Sequence, residues 1–298
     1  MKQPDKSLIY PLFIPMQGCP GTCVYCDQRK ISGAGTFDLE KAEGEVTAFI
    51  RRNTGTRKQV AFYGGTFTAL PLGLQEDILL RISRLLDEGD SLRVSTHPLY
   101  IDADTLSRLW RYRVRVIELG IQDFCDEVLK ASGRNYQAEL AYAAAVAVRE
   151  AGFTMGVQLM PGLPQSSAAS LQKNQRMLLE TKPDLLRLYP TVVIKGTKLA
   201  RLYERGDYLP LSLREAVMIC ADYAELCAPS SIRIIKYGLP SNLDMAEVVA
   251  GPYHPAFGEL VKQELLRREI KRDPKRGEHL YPKEIQLLKA HGAGEPDQ

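Results

Sequence analysis

Histidine and tryptophan are scarce in this chain of 298 residues, at four and one respectively. The four histidines, at positions 97, 254, 279 and 291, lie far from the cysteines in sequence and form no ligand pair with them. A large excess of either charge is also missing. Thirty-nine basic residues against thirty-six acidic ones leave +3, which removes the global electrostatic footprint of a nucleic-acid binder and leaves only local patches. There is no long hydrophobic run. The early apolar stretch LIYPLFIP (8–15) is broken by two prolines and falls far short of the roughly 20 residues that cross a bilayer. No secretory signal is visible. Six cysteines in a chain this long, three of them clustered, do not read as a secreted disulfide framework. A reducing cytoplasm, with no membrane partner, is the expected setting.

What is present is alternation. Six β-rich runs closed by Gly or Pro, at 10–15, 59–65, 92–98, 115–122, 153–162 and 185–190, are separated by helical patterns at 38–52, 74–88, 102–112, 136–151 and 167–181. Such spacing predicts parallel strands joined by right-handed crossovers. A partial (β/α) barrel and an open doubly wound sheet both fit, and in both the chemistry sits at the carboxyl ends of the strands. The stretches GCPGTCVYC, YGGT, STHP, GIQD and PGLP all fall there. After residue 206 the alternation loosens. Helices are expected near 212–228 and 256–269, an apolar run SIRIIKYG lies between them, and the last thirty residues are charged and expected to be loosely held.

Residues 18–30, GCPGTCVYCDQRK, place Cys19, Cys23 and Cys26 in a C-x3-C-x2-C spacing beside Gly18, Pro20 and Gly21. Those flanking residues suit a loop that folds back tightly. Structural zinc takes four ligands, commonly as two pairs, and no second pair follows. A three-thiol zinc site with a remote partner and three unrelated thiols are the bland alternatives. Iron–sulfur ligation fits better, because three thiolates would leave one iron open, as a catalytic metal requires. Cys125, Cys220 and Cys227 are expected to be buried structural cysteines.

The motif, with Tyr25 before its last cysteine and a position just after the first strand, resembles the signature of the radical S-adenosylmethionine (SAM) superfamily. That resemblance implies an α/β partial (β/α)6 TIM-like barrel of parallel strands over residues 1–240, with 241–298 a helical C-terminal extension and charged tail packed on or flanking it. It implies a 4Fe–4S cluster on Cys19, Cys23 and Cys26 whose open iron takes S-adenosylmethionine. One electron, from a donor such as flavodoxin or ferredoxin, then cleaves the cofactor to a 5′-deoxyadenosyl radical that abstracts hydrogen. Protein around such a radical must hold the cofactor rigidly and exclude water. Gly64, Gly65 and Thr66 of FYGGT are the matching positions for the methionine amino group. ELGIQDFCDEVLKASGR (118–134) is similar to the oxygen-independent coproporphyrinogen oxidase and Elongator catalytic-subunit branches, and carries Gln122 and Arg134 over as cofactor contacts. Ser95 and Gln158 stand where the first of those branches has acidic residues against the nucleoside. Tyr25 joins the cofactor-binding set.

RLYPTVVIKGTKLARLYERGDYLPLSLREAV (187–217) and STHPLYID (95–102) resemble the Elongator catalytic subunit, with His97 replacing an arginine. The likeness covers roughly residues 8–237. Nothing after residue 240 resembles an acetyltransferase domain, and VVAGPYHPAFGELVKQELL (248–266) is similar to stand-alone Elongator-like radical proteins. The expected substrate is a nucleobase in transfer RNA or other RNA. A small molecule, porphyrin-like or another metabolite, is the alternative, and a zinc- or iron–sulfur-binding protein without turnover is a third reading. Tyr189, Lys195 and His97 are the candidate substrate-cavity residues. Arg187, Lys195, Arg233 and Lys236, at or after late strands, read as solvated cations rather than phosphate contacts. His254 reads as a turn residue.

Overall fold

The computed structural model describes residues 7–14, 19, 23–33 and 35–290. Gly18, Pro20, Gly21 and His291 lie outside the described residues. The six expected runs become strands β1 (Leu8–Phe13), β2 (Lys58–Tyr63), β3 (Ser91–Thr96), β4 (Val114–Gln122), β5 (Thr154–Leu159) and β6 (Leu185–Leu188). Two short strands, β7 (Val193–Ile194) and β9 (Val248–Ala250), pair antiparallel with each other. Between them in sequence lies β8 (Arg233–Tyr237), within the apolar run that the alternation had left over. It pairs parallel with β6, Leu185 opposite Arg233 and Leu188 opposite Tyr237, so the sheet has seven strands.

Strand order settles the architecture. A doubly wound sheet reverses its strand order at a switch point. Here the order is β1-β2-β3-β4-β5-β6-β8, every pair parallel and with no reversal. The sheet curls into a half-barrel with helices around it.

The helices begin where short polar side chains can bond free amides. Asp38 caps α2 (Leu39–Arg52), Asp102 caps α4 (Ala103–Arg111), and Ser167 and Ser212 form capping boxes for α7 (Ala168–Thr181) and α9 (Leu213–Cys227). With α3 (Leu72–Ser83) and α6 (Ala138–Glu150), these close to within a few residues of the expected patterns. The short helices α1 (Gln28–Ser32), α5 (Asp126–Ala131) and α8 (Lys198–Glu204) follow strand ends or loops.

The two faces of the sheet differ. Ile117, Leu119 and Ile121 of β4, Val60 and Phe62 of β2, and Met155, Val157 and Leu159 of β5 belong to one apolar core. The alternate positions carry Gln59, Tyr63, Arg93, Glu118, Gln158 and Arg187, since successive strand side chains point to opposite faces. Strands of parallel sheets are usually apolar on both faces. This sheet reserves one face for polar groups.

Beyond residue 240 the chain is tied to the barrel. Phe257 and Val261 of α10 (Phe257–Arg272) lie in the main core, and Arg268 bridges to Asp222 and Glu225 of α9 at 2.7 and 2.9 Å. The tail, expected to be loosely held, instead forms α11 (Pro274–Glu278) and α12 (Pro282–Ala290) as far as residue 290. Charge there is used locally: Arg276 pairs with Glu284, and Gln263 donates to the carbonyls of Leu287 and Leu288 at 3.2 Å. No helix among the described residues is long and apolar enough to cross a membrane.

Candidate active site

The polar face of the half-barrel and the loops at the strand ends enclose a cavity of about 320 Å3, at the lower end for ligand pockets. Cys19, Cys23 and Cys26 all line it, and no other cysteine among the described residues does. Each sulfur has one hydrogen-bond donor of its own. Thr66 Oγ1 lies 3.6 Å from Cys19 Sγ, Arg134 Nη1 3.5 Å from Cys23 Sγ, and Gln28 Nε2 3.5 Å from Cys26 Sγ. Burial, reinforced by Cys23, pushes the Cys26 thiol up to about 12. No three His, Cys, Asp or Glu among the described residues converge on a site for one metal ion. Cubane ligation places each thiolate on a separate iron, and donors to the sulfurs tune it, so three thiols around one cavity suit a cluster.

The loop is fixed from below and from the side. Asp27 caps α1 by accepting from the amides of Arg29 and Lys30. Lys30 Nζ donates to the Lys195 carbonyl at 2.9 Å and pairs with Glu247 at 2.5 Å, which latches α1 to the segment around β7 and β9. Val24 exchanges backbone bonds with Ser132 and Leu199 at 3.0 and 2.8 Å. Tyr25 is buried, and its hydroxyl accepts from Arg134 Nη1 at 3.1 Å. Arg134 also donates to Tyr136 Oη at 2.9 Å and to the Gly120 carbonyl. It is thus committed to the thiol loop and to the end of β4.

Other expected residues converge here too. Gln122 sits at φ +72°, in the left-handed region that costs a non-glycine residue energy, at a register shift between β4 and β5. Gln158 Nε2 donates to its Oε1 at 3.0 Å. Gly64 has φ +92° just after β2, the turn that brings Gly65 and Thr66 to the cavity. Ser95, His97, Gln158 and Tyr189 also line the cavity. His97 Nδ1 accepts from the Leu99 amide at 3.2 Å and its ring stands edge-on to Tyr136. Burial, and after it Arg134, lowers its pKa to about 3, so the ring is neutral at neutral pH and, with Nδ1 accepting, carries its proton on Nε2.

Lys195 is not brought to the site. It is exposed and absent from the lining, because β7 carries it outward while its backbone bonds Glu247 and Lys30. Arg233 is exposed as well. Arg187 and Lys236 do line the cavity, a correction to their reading as solvated cations. His254 Nδ1 accepts from the Ala256 amide at 3.1 Å, a turn contact. Cys220 and Cys227 are buried as expected, but Cys125 is only half-buried and donates to Glu127 at 2.9 Å.

The sequence did not single out Glu118. It is buried in the floor between Arg93 at 2.5 Å and Arg187 at 2.5 Å, with Tyr63 Oη at 3.3 Å. Burial alone would raise its carboxyl, but Arg187 and Arg93 outweigh this and hold it below the usual range. To reach Arg187 the side chain must cross β5, and Gly156 gives it room. A Cβ at 156 would lie 2.9 Å from Glu118 Cγ.

Comparison with known proteins then decides the family. A family model described as the Radical SAM superfamily matches residues 13–178, and one described as the Radical_SAM C-terminal domain matches 183–267. The chain belongs to the radical SAM superfamily. It is 28% identical over 235 residues to the tRNA uridine(34) acetyltransferase of Methanocaldococcus jannaschii, covering 72% of this chain and 43% of that protein. It is 30% identical over 249 residues to the protein of the same name from Dehalococcoides mccartyi, covering 71% and 54%. The chain thus spans about half the length of these relatives, or less. The structure of the archaeal Methanocaldococcus infernus Elp3 with its N-terminus deleted matches with a TM-score of 0.69 at 22% identity, covering 88% of this chain and 64% of that one. That likeness shows the fold. Superfamily membership brings a 4Fe–4S cluster and S-adenosylmethionine as the expected cofactors.

Gly156→Ala is expected to lower stability by about 1–3 kcal/mol, since the added methyl overpacks against a side chain pinned by two arginines. Denaturant unfolding checks this. A loss below about 0.5 kcal/mol, the range of ordinary surface changes, would show that Glu118 is not held across Gly156.

Proposed function

We propose that this chain is a cytoplasmic radical SAM enzyme whose cluster is held by Cys19, Cys23 and Cys26 alone, and which modifies a nucleobase in RNA. The observation that carries the first half is the convergence of the three thiols on one cavity, each with its own donor, beside Gly64, Gly65, Thr66, Gln122 and Arg134. When bound, the cluster and S-adenosylmethionine supply a strongly reactive carbon radical, with the electron coming from a donor of the flavodoxin or ferredoxin kind.

The chain's own residues do the rest. Thr66, Gln28 and Arg134 donate to the sulfurs and would orient them toward a bound cluster. Gly64 and Gly65 leave backbone open for the cofactor's methionine end. Gln122, held in place by Gln158, and Ser95 offer hydrogen-bonding groups to its nucleoside. Chemistry of this kind requires that water be kept from the reacting centre. Tyr189 and His97 face the place left for substrate. Neutral His97, whose Nδ1 is taken by the Leu99 amide, offers its Nε2–H there as a hydrogen-bond donor.

The RNA reading is supported by the names of the relatives, two of which act on transfer RNA uridine. A small-molecule reading has one observation in its favour, a modest cavity with charged residues inside it.

Anaerobic reconstitution with iron and sulfide is expected to load about four of each per chain, and reduction with S-adenosylmethionine to release 5′-deoxyadenosine. Cys23→Ala should abolish that release. Unchanged release by the variant contradicts the ligand assignment, and zinc without iron or sulfide in an anaerobic preparation contradicts the function. Separately, transfer RNA retained by the loaded protein should dissociate steeply with salt, because phosphate contacts release counterions. No retention at low salt sinks the RNA half.

A further inference from the structure

Neighbouring strands of a parallel sheet set side chains in rows, and one row runs Gly120, Gln158, Arg187, Lys236 across β4, β5, β6 and β8. All four residues line the cavity. Two cations therefore stand directly opposite each other, which costs stability where no anion lies between them. Arg187 is nearly used up. Its Nε and Nη2 serve Glu118, Nη2 also donates to Tyr63 Oη at 2.9 Å, and Nη1 donates to Tyr189 Oη at 3.1 Å. Of the five N–H groups of a guanidinium, one on Nη1 is left.

Lys236 is the opposite case. Its Nζ has no hydrogen-bond or ion-pair partner among the described residues, although the side chain is half-buried. Burial, and then Arg187, lowers its pKa. The one acid in the described lining is Glu118, already shared by Arg93 and Arg187. The lining of this wall thus carries two cations, Arg187 and Lys236, and Arg93 stands buried behind it, against one carboxylate. Arg134, the other cation in the lining, is spent on the thiol loop. A half-buried charge without a partner is a cost that folding alone does not repay.

We infer that Lys236, with the remaining Nη1 hydrogen of Arg187 and the hydroxyl of Tyr189, binds an oxyanion carried by the substrate, a carboxylate or a phosphate. The substrate is then acidic, and the anion is gripped at the β6–β8 side while the thiols occupy the opposite loop. This rests on the reading that substrate and cofactor share the cavity.

The test uses the reconstituted protein saturated with S-adenosylmethionine, so that the cofactor's own carboxylate does not compete. Inorganic phosphate and succinate are titrated by calorimetry against chloride at matched ionic strength. One saturable site is expected, weakened about tenfold or more by Lys236→Met, the loss of one charge-assisted bond, and retained by Lys236→Arg. Tighter phosphate identifies a phosphorylated substrate, and tighter succinate a carboxylic one. The unfolding midpoint of Lys236→Met should equal or exceed that of the wild type, since the variant removes a like-charge opposition. No saturable site, or equal affinity in wild type and Lys236→Met, overturns the inference. Deoxyadenosine released by the wild type without substrate tests the underlying reading by itself. Its absence defeats that reading, whereas release without anion binding defeats only the oxyanion site.

Discussion

A sheet can leave one face unfilled only if something other than aliphatic packing satisfies it. In this half-barrel that constraint falls on Glu118, held in the floor between Arg93 and Arg187 with Tyr63 alongside. A carboxylate that deep is costly unless paired and hydrogen-bonded, and here it is both. Its reach across Gly156 ties β3, β4 and β6 together on the side where no apolar core exists. Removing either arginine would leave a buried charge unpaired, a large penalty. The cavity stays open because its floor is an ion-pair network rather than a layer of Leu and Val.

Above that floor the thiol loop depends on Arg134. One guanidinium contacts Cys23, Tyr25, Tyr136 and the end of β4. It thereby couples the position of the loop to the strained turn at Gln122, whose side chain lies beside Gly120. The same residues that position the sulfurs therefore shape the space next to them. The latch from Lys30 to Glu247 and to the Lys195 carbonyl adds a second tie, from a part of the chain some two hundred residues away. The pairing of floor and loop makes this a site for a bulky reactive group rather than for a single ion.

Much of this was legible in the sequence, for physical reasons. Strands announce themselves as apolar runs ended by Gly or Pro, and the polar residues at their ends mark the site. Cys19, Cys23, Cys26, Gly64, Thr66 and Gln122 come to one cavity because they follow or close successive strands, and Arg134 reaches it from the loop after α5. Interactions between distant residues were not legible. Glu118 looks like an ordinary strand residue until Arg93 and Arg187, 25 and 69 positions away, are brought to it. Lys195 follows a strand end in sequence, yet the small β7–β9 pair turns it outward. Strand β8 was read only as an apolar run, since β7, α8 and α9 interrupt the regular spacing before it. Charged tail residues suggested loose chain because composition does not reveal partners such as Glu284 for Arg276.

The central claim is that one iron of the bound cluster receives no side chain from the protein and is reserved for S-adenosylmethionine. Mössbauer spectroscopy of protein reconstituted with iron-57 tests this most directly. The account predicts that adding S-adenosylmethionine changes the signal of one iron and leaves the other three as they were. Four irons that respond alike, or not at all, would contradict it.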